Sequence, residues 1–150
     1  MDFNFEPLQE KDVDSCVKMI ISTLGSQAKE YGDKNRLKGM IYGKQVMTLV
    51  AKREKKIVGL ITATLLGFPR ILFLTVAEKK SALAGLGGQL IDQLVKEIKK
   101  NTPHMKQILH NEFADNFNAV GLYSIKGFTI AGYMKDPLTN RDVVFMKKDI

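Results

Sequence analysis

A single cysteine, Cys16, rules out a disulfide within the chain and, with only two histidines, the usual four-ligand zinc sites of cysteine and histidine. Long apolar runs are missing as well. Ile57 to Phe68 is the longest; Gly59, Thr62, Thr64 and Gly67 interrupt it, and it falls short of the roughly 20 residues a membrane helix needs. The first ten residues, MDFNFEPLQE, are acidic and lack the basic stretch and apolar run of a secretory signal. Neither export nor membrane insertion is expected, and a cytoplasmic protein is. Repeats, linkers and low-complexity tracts are absent too. At 45% hydrophobic and 26% charged residues, the composition excludes a disordered chain. The 150 residues suffice for one domain with one core. Cys16 lies among Val17, Ile20 and Ile21 with no histidine nearby in sequence, which describes a buried thiol rather than a nucleophile.

What the chain does have is positive charge, unevenly spread. Residues 1 to 33 hold seven acids and three bases, whereas residues 34 to 150 hold twenty bases and nine acids. Such an excess suits an anionic cofactor or nucleic acid. The lysines, however, come in scattered pairs (Lys55 and Lys56, Lys79 and Lys80, Lys99 and Lys100), so a solvated surface is expected and nucleic acid is not a favoured partner.

Periodicity gives the element order. Asn4 to Leu8 reads as extended, and Asp12 offers an N-cap to a helix carrying Val13, Val17, Ile20, Ile21 and Leu24 on one stripe, ended by Gly25. A second, irregular helical region is expected around Arg36 to Tyr42. Val46 to Lys52, Ile57 to Leu66 and Ile71 to Val76 read as an antiparallel meander, with apolar runs suited to a sheet covered on both faces. A helix with Leu86, Leu90, Ile91, Leu94, Val95 and Ile98 on its apolar stripe follows. Then come a strand at Lys106 to Glu112, a helix from Asp115 and Asn116 to a left-handed stop at Gly127, and strands at Phe128 to Tyr133 and Val143 to Lys148.

Two segments carry candidate chemistry. The first is the turn Ala82, Leu83, Ala84, Gly85, Leu86, Gly87 and Gly88, set between a strand and a helix. Unpaired amides at a helix start, with the helix dipole, attract phosphate, and glycines let the backbone come close to it. A dinucleotide fingerprint would need a third glycine at Leu90, and a P-loop would need a Gly-Lys-Ser/Thr run, so both are excluded. The second segment is DNFNAVGLYSIKGF, residues 115 to 128, with Asn116, Ala119, Tyr123 and Gly127-Phe128. On the strand before it, His110 and Glu112 lie two apart and share a face, while Asn111 points the other way.

Together these two segments resemble the GCN5-related N-acetyltransferase family over nearly the whole chain. The resemblance implies an α+β fold: a mixed, mainly antiparallel central sheet of about six to seven strands with helices on both faces. It implies an N-acetyltransferase that uses acetyl-CoA as co-substrate, needs no metal, and moves the acetyl group to a small-molecule or peptide amine by direct attack in a ternary complex. A homodimer stays open. By the same resemblance the Leu74, Thr75 and Val76 backbone lies beside the pantetheine arm and can hold the oxyanion, the amides of residues 83 to 88 surround the pyrophosphate, Asn116 bonds the pantetheine and Ala119 leaves room for it. Tyr123, protonated at neutral pH, is expected to give its proton to the departing thiolate, and Glu112 or His110 to take one from the ammonium. Ala82 departs from the family pattern, which has Gln or Arg there. Lys79, Lys80 or Ser81 are the candidates to replace that phosphate contact. The acids Glu6, Glu10, Asp12, Asp14, Glu30 and Asp33 are expected to favour a cationic acceptor. The alternative functions are a non-catalytic acyl-CoA-sensing domain or a basic module that contacts nucleic acid.

Overall fold

The computed structural model describes residues 2–77 and 85–150. Seven strands form one sheet in the order β1-β2-β3-β4-β5-β7-β6, made of β1 (Asn4–Pro7), β2 (Val46–Arg53), β3 (Lys56–Thr64), β4 (Arg70–Val76), β5 (Gln107–Phe113), β6 (Thr129–Lys135) and β7 (Asp142–Asp149). Every neighbouring pair is antiparallel except β4 and β5. Four α-helices complete the described elements: α1 (Val13–Leu24), α2 (Lys34–Ile41), α3 (Leu86–Asn101) and α4 (Phe117–Ile125). Among the described residues no helix is long and apolar enough to cross a membrane.

The apolar runs of β2 and β3 follow from burial on both faces. Leu49, Ala51, Ile61 and Ala63 meet Leu86, Leu90, Ile91, Leu94 and Ile98 of α3. Their alternates Val50 and Leu60, with Phe73 of β4, meet Val13, Cys16, Val17 and Ile20 of α1 and Leu37 and Ile41 of α2. Each such fully buried aliphatic contributes about 1.5–3 kcal/mol of transfer free energy. These two apolar layers therefore fix which way β2, β3 and β4 face.

Two local expectations change. Asp12 is not a side-chain cap: Glu10–Asp12 is a 3-10 turn, no side-chain cap bond forms, and the Asp12 carboxylate lies 3.4 Å from the Lys52 ammonium instead. The region after α1 is more regular than its glycines suggest. Gly25–Tyr31 winds as a 3-10 segment, and Asp33 then caps α2 by accepting the Arg36 amide at 2.9 Å. Gly127, at φ +89°, ends α4 as expected, and the returning Phe128 packs edge-on against Tyr123 with ring centroids 5.2 Å apart.

Cys16 is buried in the α1 layer, and burial, helped by the charge of Asp12, pushes its thiol up to about 11. It should therefore resist an aromatic disulfide reagent at pH 8 in the folded protein and react fully after denaturation. Rapid stoichiometric labelling of the native protein would contradict this packing. Gly59 on β3 marks the closest approach of α3. An added Cβ would lie 3.1 Å from Leu86 Cδ2, 3.2 Å from Leu90 Cδ1 and 3.2 Å from the Thr75 carbonyl oxygen. Gly59→Ala is expected to cost about 1–3 kcal/mol, read as a lower urea midpoint, because a backbone atom has to move.

Candidate active site

β4 and β5 run parallel but pair only at Arg70↔Leu109 and Ile71↔His110, with Leu109 N–H donating to the Pro69 carbonyl at 2.8 Å. Beyond these residues they part. The cause is visible in the β3–β4 register, where Thr62 faces Phe73 and Ala63 faces Ile71, leaving Leu72 as an extra residue on β4. Such a bulge bends its strand and increases its twist. The edges of Leu72 to Thr75 and of Asn111 to Phe113 thus face a notch instead of each other.

A cleft of about 740 Å³ occupies this notch. Leu74 and Thr75 line it from β4, His110 and Glu112 from β5, and Asn116, Ala119 and Tyr123 from α4 and its first residue. Seven of the residues singled out in the sequence are thereby gathered around one space. Val76 lies past its edge on β4. Gly85, Leu86, Gly87 and Gly88 do not line it but adjoin it: Cβ atoms added at Gly87 would lie 3.2 Å from Leu122 Cδ2 and 3.8 Å from Leu74 Cδ2, both cleft-wall side chains. Ala82, Leu83 and Ala84, and with them Lys79, Lys80 and Ser81, lie outside the described residues.

The glycines have packing duties as well as an opening to offer. Gly85 is the N-cap of α3 in the left-handed conformation, φ +82°, with nothing among the described residues within 4 Å of an added Cβ. Gly88 is covered by Lys126, whose Cε would be 2.7 Å from an added Cβ and whose ammonium pairs with Asp92 at 2.7 Å. A substitution at Gly87 or Gly88 would therefore disturb the α3–α4 contact, and Gly85 is the position where the helix start stands open.

The polar wall is organised around Glu112. Its Oε2 lies 3.0 Å from His110 Nε2, and its Oε1 accepts from the Phe113 amide at 3.2 Å and from Asn116 Nδ2 at 3.3 Å. Asn116 makes no side-chain cap for α4; its amide group steadies the carboxylate. His110 is buried and its ring stacks on Tyr123, with centroids 3.8 Å apart at 25°. Two buried side-chain atoms have no protein hydrogen-bond partner among the described residues: His110 Nδ1 and the Tyr123 hydroxyl. Burial, followed by the nearby charge of Glu112, raises the Tyr123 phenol far above its usual value.

Sequence reasoning missed other residues of the cleft wall. Thr23, Leu24, Gln27 and Tyr31 come from α1 and the 3-10 segment, and Arg141 from the β6–β7 turn. The Arg141 guanidinium lies 3.6 Å from the Phe113 ring centroid and 2.7 Å from Asp115. No local pattern signals these residues, because they meet only when the turn at Asp136 folds back, its carboxylate accepting from Thr139 Oγ1 at 2.5 Å.

The N-terminal acids do not serve the cleft. Glu6 and Asp12 pair with Lys52 at 2.5 and 3.4 Å, Asp14 with Lys38 at 2.8 Å, and Asp33 caps α2. None of the six acids lines the notch. Four of these carboxylates are engaged elsewhere and none of the six reaches the cleft, so they do not favour a cationic acceptor there.

A bulged β4 parting from a parallel β5, with a glycine-led helix on one side, is a fold with recorded relatives. A model of the acetyltransferase (GNAT) domain matches residues 10–141. The chain belongs to the GNAT acetyltransferase family. No curated protein matches the sequence significantly, so the family model and the fold carry the likeness. The ribosomal-protein-S18-alanine N-acetyltransferase of Escherichia coli superposes with a TM-score of 0.78 at 16% identity, over 99% of this chain and 94% of that one. Arabidopsis thaliana NAA60, solved with a bisubstrate analogue, gives 0.78 at 16% identity over 99% of both chains. A Bacillus anthracis protein ascribed to the streptothricin acetyltransferases, solved in complex with acetyl coenzyme A, gives 0.64 at 20% identity over 75% of this chain and 66% of that one. The GNAT fold accounts for the mainly antiparallel sheet and for helices on both of its faces.

Removing the Thr75 or Leu74 side chain should matter less here than closing the notch. Ala119→Phe, on the cleft wall, is expected to leave the urea midpoint nearly unchanged, because Ala119 is only half-buried, and to weaken binding of acetyl-CoA at least tenfold by filling the space. Undiminished affinity in a calorimetric titration would separate the notch from the donor site.

Proposed function

We propose that this GNAT chain, residues 1–150 working as one cytoplasmic domain, transfers an acetyl group from acetyl-CoA to a primary amine of a small molecule or peptide by direct attack in a ternary complex. The observation that carries the reading is the Tyr123 hydroxyl, buried beside the notch with no protein partner among the described residues. Buried polar atoms are rarely left so. A hydroxyl kept in that state suits a group that bonds to a substrate atom.

The surrounding residues fit the donor. The free edge of β4 past Ile71 turns backbone groups toward the notch, beside which the pantetheine arm would run, and an amide there would hold the oxyanion. The start of α3 at Gly85 suits the pyrophosphate. Ala119 leaves width for the arm, and the Asn116 side chain, with its oxygen uncommitted to Glu112, would bond it. Acetyl-CoA supplies the thioester: a C–N bond forms, the C–S bond breaks, and of the two protons the nitrogen gives up, one balances the thiol and one leaves to solvent.

Tyr123 has a narrower task than the sequence suggested. A thiol titrates near ~8.5 and a phenol near ~10, so outright transfer to the thiolate is uphill, and burial makes it more so. The phenol therefore works as a hydrogen-bond donor that stabilises negative charge building on sulfur, and the departing thiolate takes its proton from solvent. On the acceptor side, the pair of Glu112 and His110 supplies the base for the ammonium proton.

Free-thiol detection with acetyl-CoA and a panel of amines, including spermidine and peptides with free N-termini, should identify turnover. Tyr123→Phe should then lower kcat about 100-fold with acetyl-CoA affinity unchanged. No saturable binding of acetyl-CoA at millimolar concentration would end this reading and leave a fold without its donor.

A further inference from the structure

We infer that the acceptor amine carries a carboxylate and that Arg141 binds it at the cleft wall; this names the acceptor class of the acyl-transfer reading above and rests on it. Among the described residues, Arg141 is the one lysine or arginine that lines the cleft. Both carboxylates of the same wall already have partners. Glu112 is held at its two oxygens by His110, the Phe113 amide and Asn116, and Asp115 is held by Arg141 itself. The guanidinium has donors left over. It carries five N–H groups in a planar fork, and its one hydrogen bond among the described residues runs from Nη2 to Asp115 at 2.7 Å. Its side chain keeps 36% of its surface exposed, so solvent, and hence a ligand, reaches it.

Alternation along β5 puts this cation on the acceptor's side of the sheet. His110 and Glu112 leave the strand on the face of α4, where His110 stacks on Tyr123, and Phe113 leaves it on the other face. That other face is the one α1 covers, where Tyr31 packs on Phe73 with ring centroids 5.4 Å apart. The guanidinium lies there, 3.6 Å from the Phe113 ring centroid. By the donor reading acetyl-CoA fills the side of the notch next to α3 and α4, which leaves the α1 side to the amine.

Arg141 is in place before any ligand arrives. Its amide donates to Thr139 Oγ1 at 3.3 Å, its carbonyl accepts the Asp136 amide at 2.8 Å, and the Asp142 carbonyl accepts the Ala114 amide at 2.8 Å, which ties the β6–β7 turn to the end of β5. The Phe113 ring backs the guanidinium and Asp115 fixes one of its edges. A guanidinium fixed in this way loses little freedom on taking up a planar carboxylate with its other donors. The rest of this wall is apolar or neutral, with Leu24, Leu72, Phe73 and Val143 beside Thr23 and Gln27. An amine with a carboxylate and an apolar body, such as an apolar α-amino acid, matches that lining. A polyamine would meet a cation and two carboxylates that already have partners.

Acetyl transfer to leucine, methionine and phenylalanine, each measured beside its methyl ester and beside spermidine at one pH, decides the assignment. The ester keeps the amine and the apolar body and removes the charge. Its amine is also less basic, so intrinsic reactivity favours the ester, and a preference for the acid has to come from the protein. The wild type is expected to prefer acid to ester by about tenfold or more in kcat/KM. Arg141→Gln is expected to lower that acid-to-ester ratio about 10- to 100-fold, chiefly through KM of the acid, and Arg141→Lys, which keeps the charge without the fork, to fall between. Asp115→Asn is expected to keep or raise the ratio, because the guanidinium stays and a competing carboxylate is gone. If Arg141 served only its ion pair with Asp115, the two partners would behave alike, so an equal loss of the ratio in Arg141→Gln and Asp115→Asn would overturn the proposal. A ratio unchanged in Arg141→Gln, or a wild type that turns over esters or spermidine faster than the acids, would overturn it as well. Undiminished acetyl-CoA affinity certifies that each variant is folded. Failure of the wild type to bind acetyl-CoA would end the acyl-transfer reading together with this assignment, whereas binding without turnover of any carboxylate-bearing amine ends the assignment alone.

Discussion

Parallel strands β4 and β5 share two residue pairs and then separate, and most of what is chemically notable in this protein depends on that separation. Had the pairing continued, the backbone groups of Leu72 to Thr75 would be consumed by β5 and the cleft would not exist. The extra residue at Leu72 is what turns β4 away. Burial then makes the opening durable, because α1 and α2 on one face and α3 on the other clamp β2, β3 and β4 as a unit. The notch is held open by the same apolar layers that stabilise the sheet.

Around that opening the polar groups are arranged in series. Asn116 and the Phe113 amide fix Glu112, Glu112 fixes His110, and His110 lies flat on Tyr123. Each link orders the next, so the two atoms left without partners, His110 Nδ1 and the Tyr123 hydroxyl, are held on rigid elements at the cleft. A buried donor or acceptor left unpaired costs on the order of 1–3 kcal/mol. The fold carries two such atoms on the stacked rings of His110 and Tyr123.

Much of this was legible in the residues. Alternation and stripe spacing located all seven strands and the long helices, since periods of 2 and 3.6 are consequences of local backbone geometry. The helix expected around Arg36 to Tyr42 is present as α2, started by Asp33, but the capping failure at Asp12 was not legible, because Asp12 is drawn to Lys52, forty residues away. The acids of the first segment misled for the same reason. Their partners, Lys52 and Lys38, are supplied by tertiary contacts that composition does not reveal.

By itself the sequence determined the kinds of element, the glycine-led helix start, the motif from Asn116 to Phe128 and the shared face of His110 and Glu112, because each depends on residues a few positions apart. Only the tertiary structure decided that β4 parts from β5 at Leu72, that Glu112 is bound at both oxygens, that His110 stacks on Tyr123, and that Tyr31, Gln27 and Arg141 line the cleft. The physical reason is range. Spacing within one element is fixed by the backbone, whereas the meeting of β4, β5, α4 and the β6–β7 turn is fixed by which apolar faces bury one another, and that is a property of the whole chain.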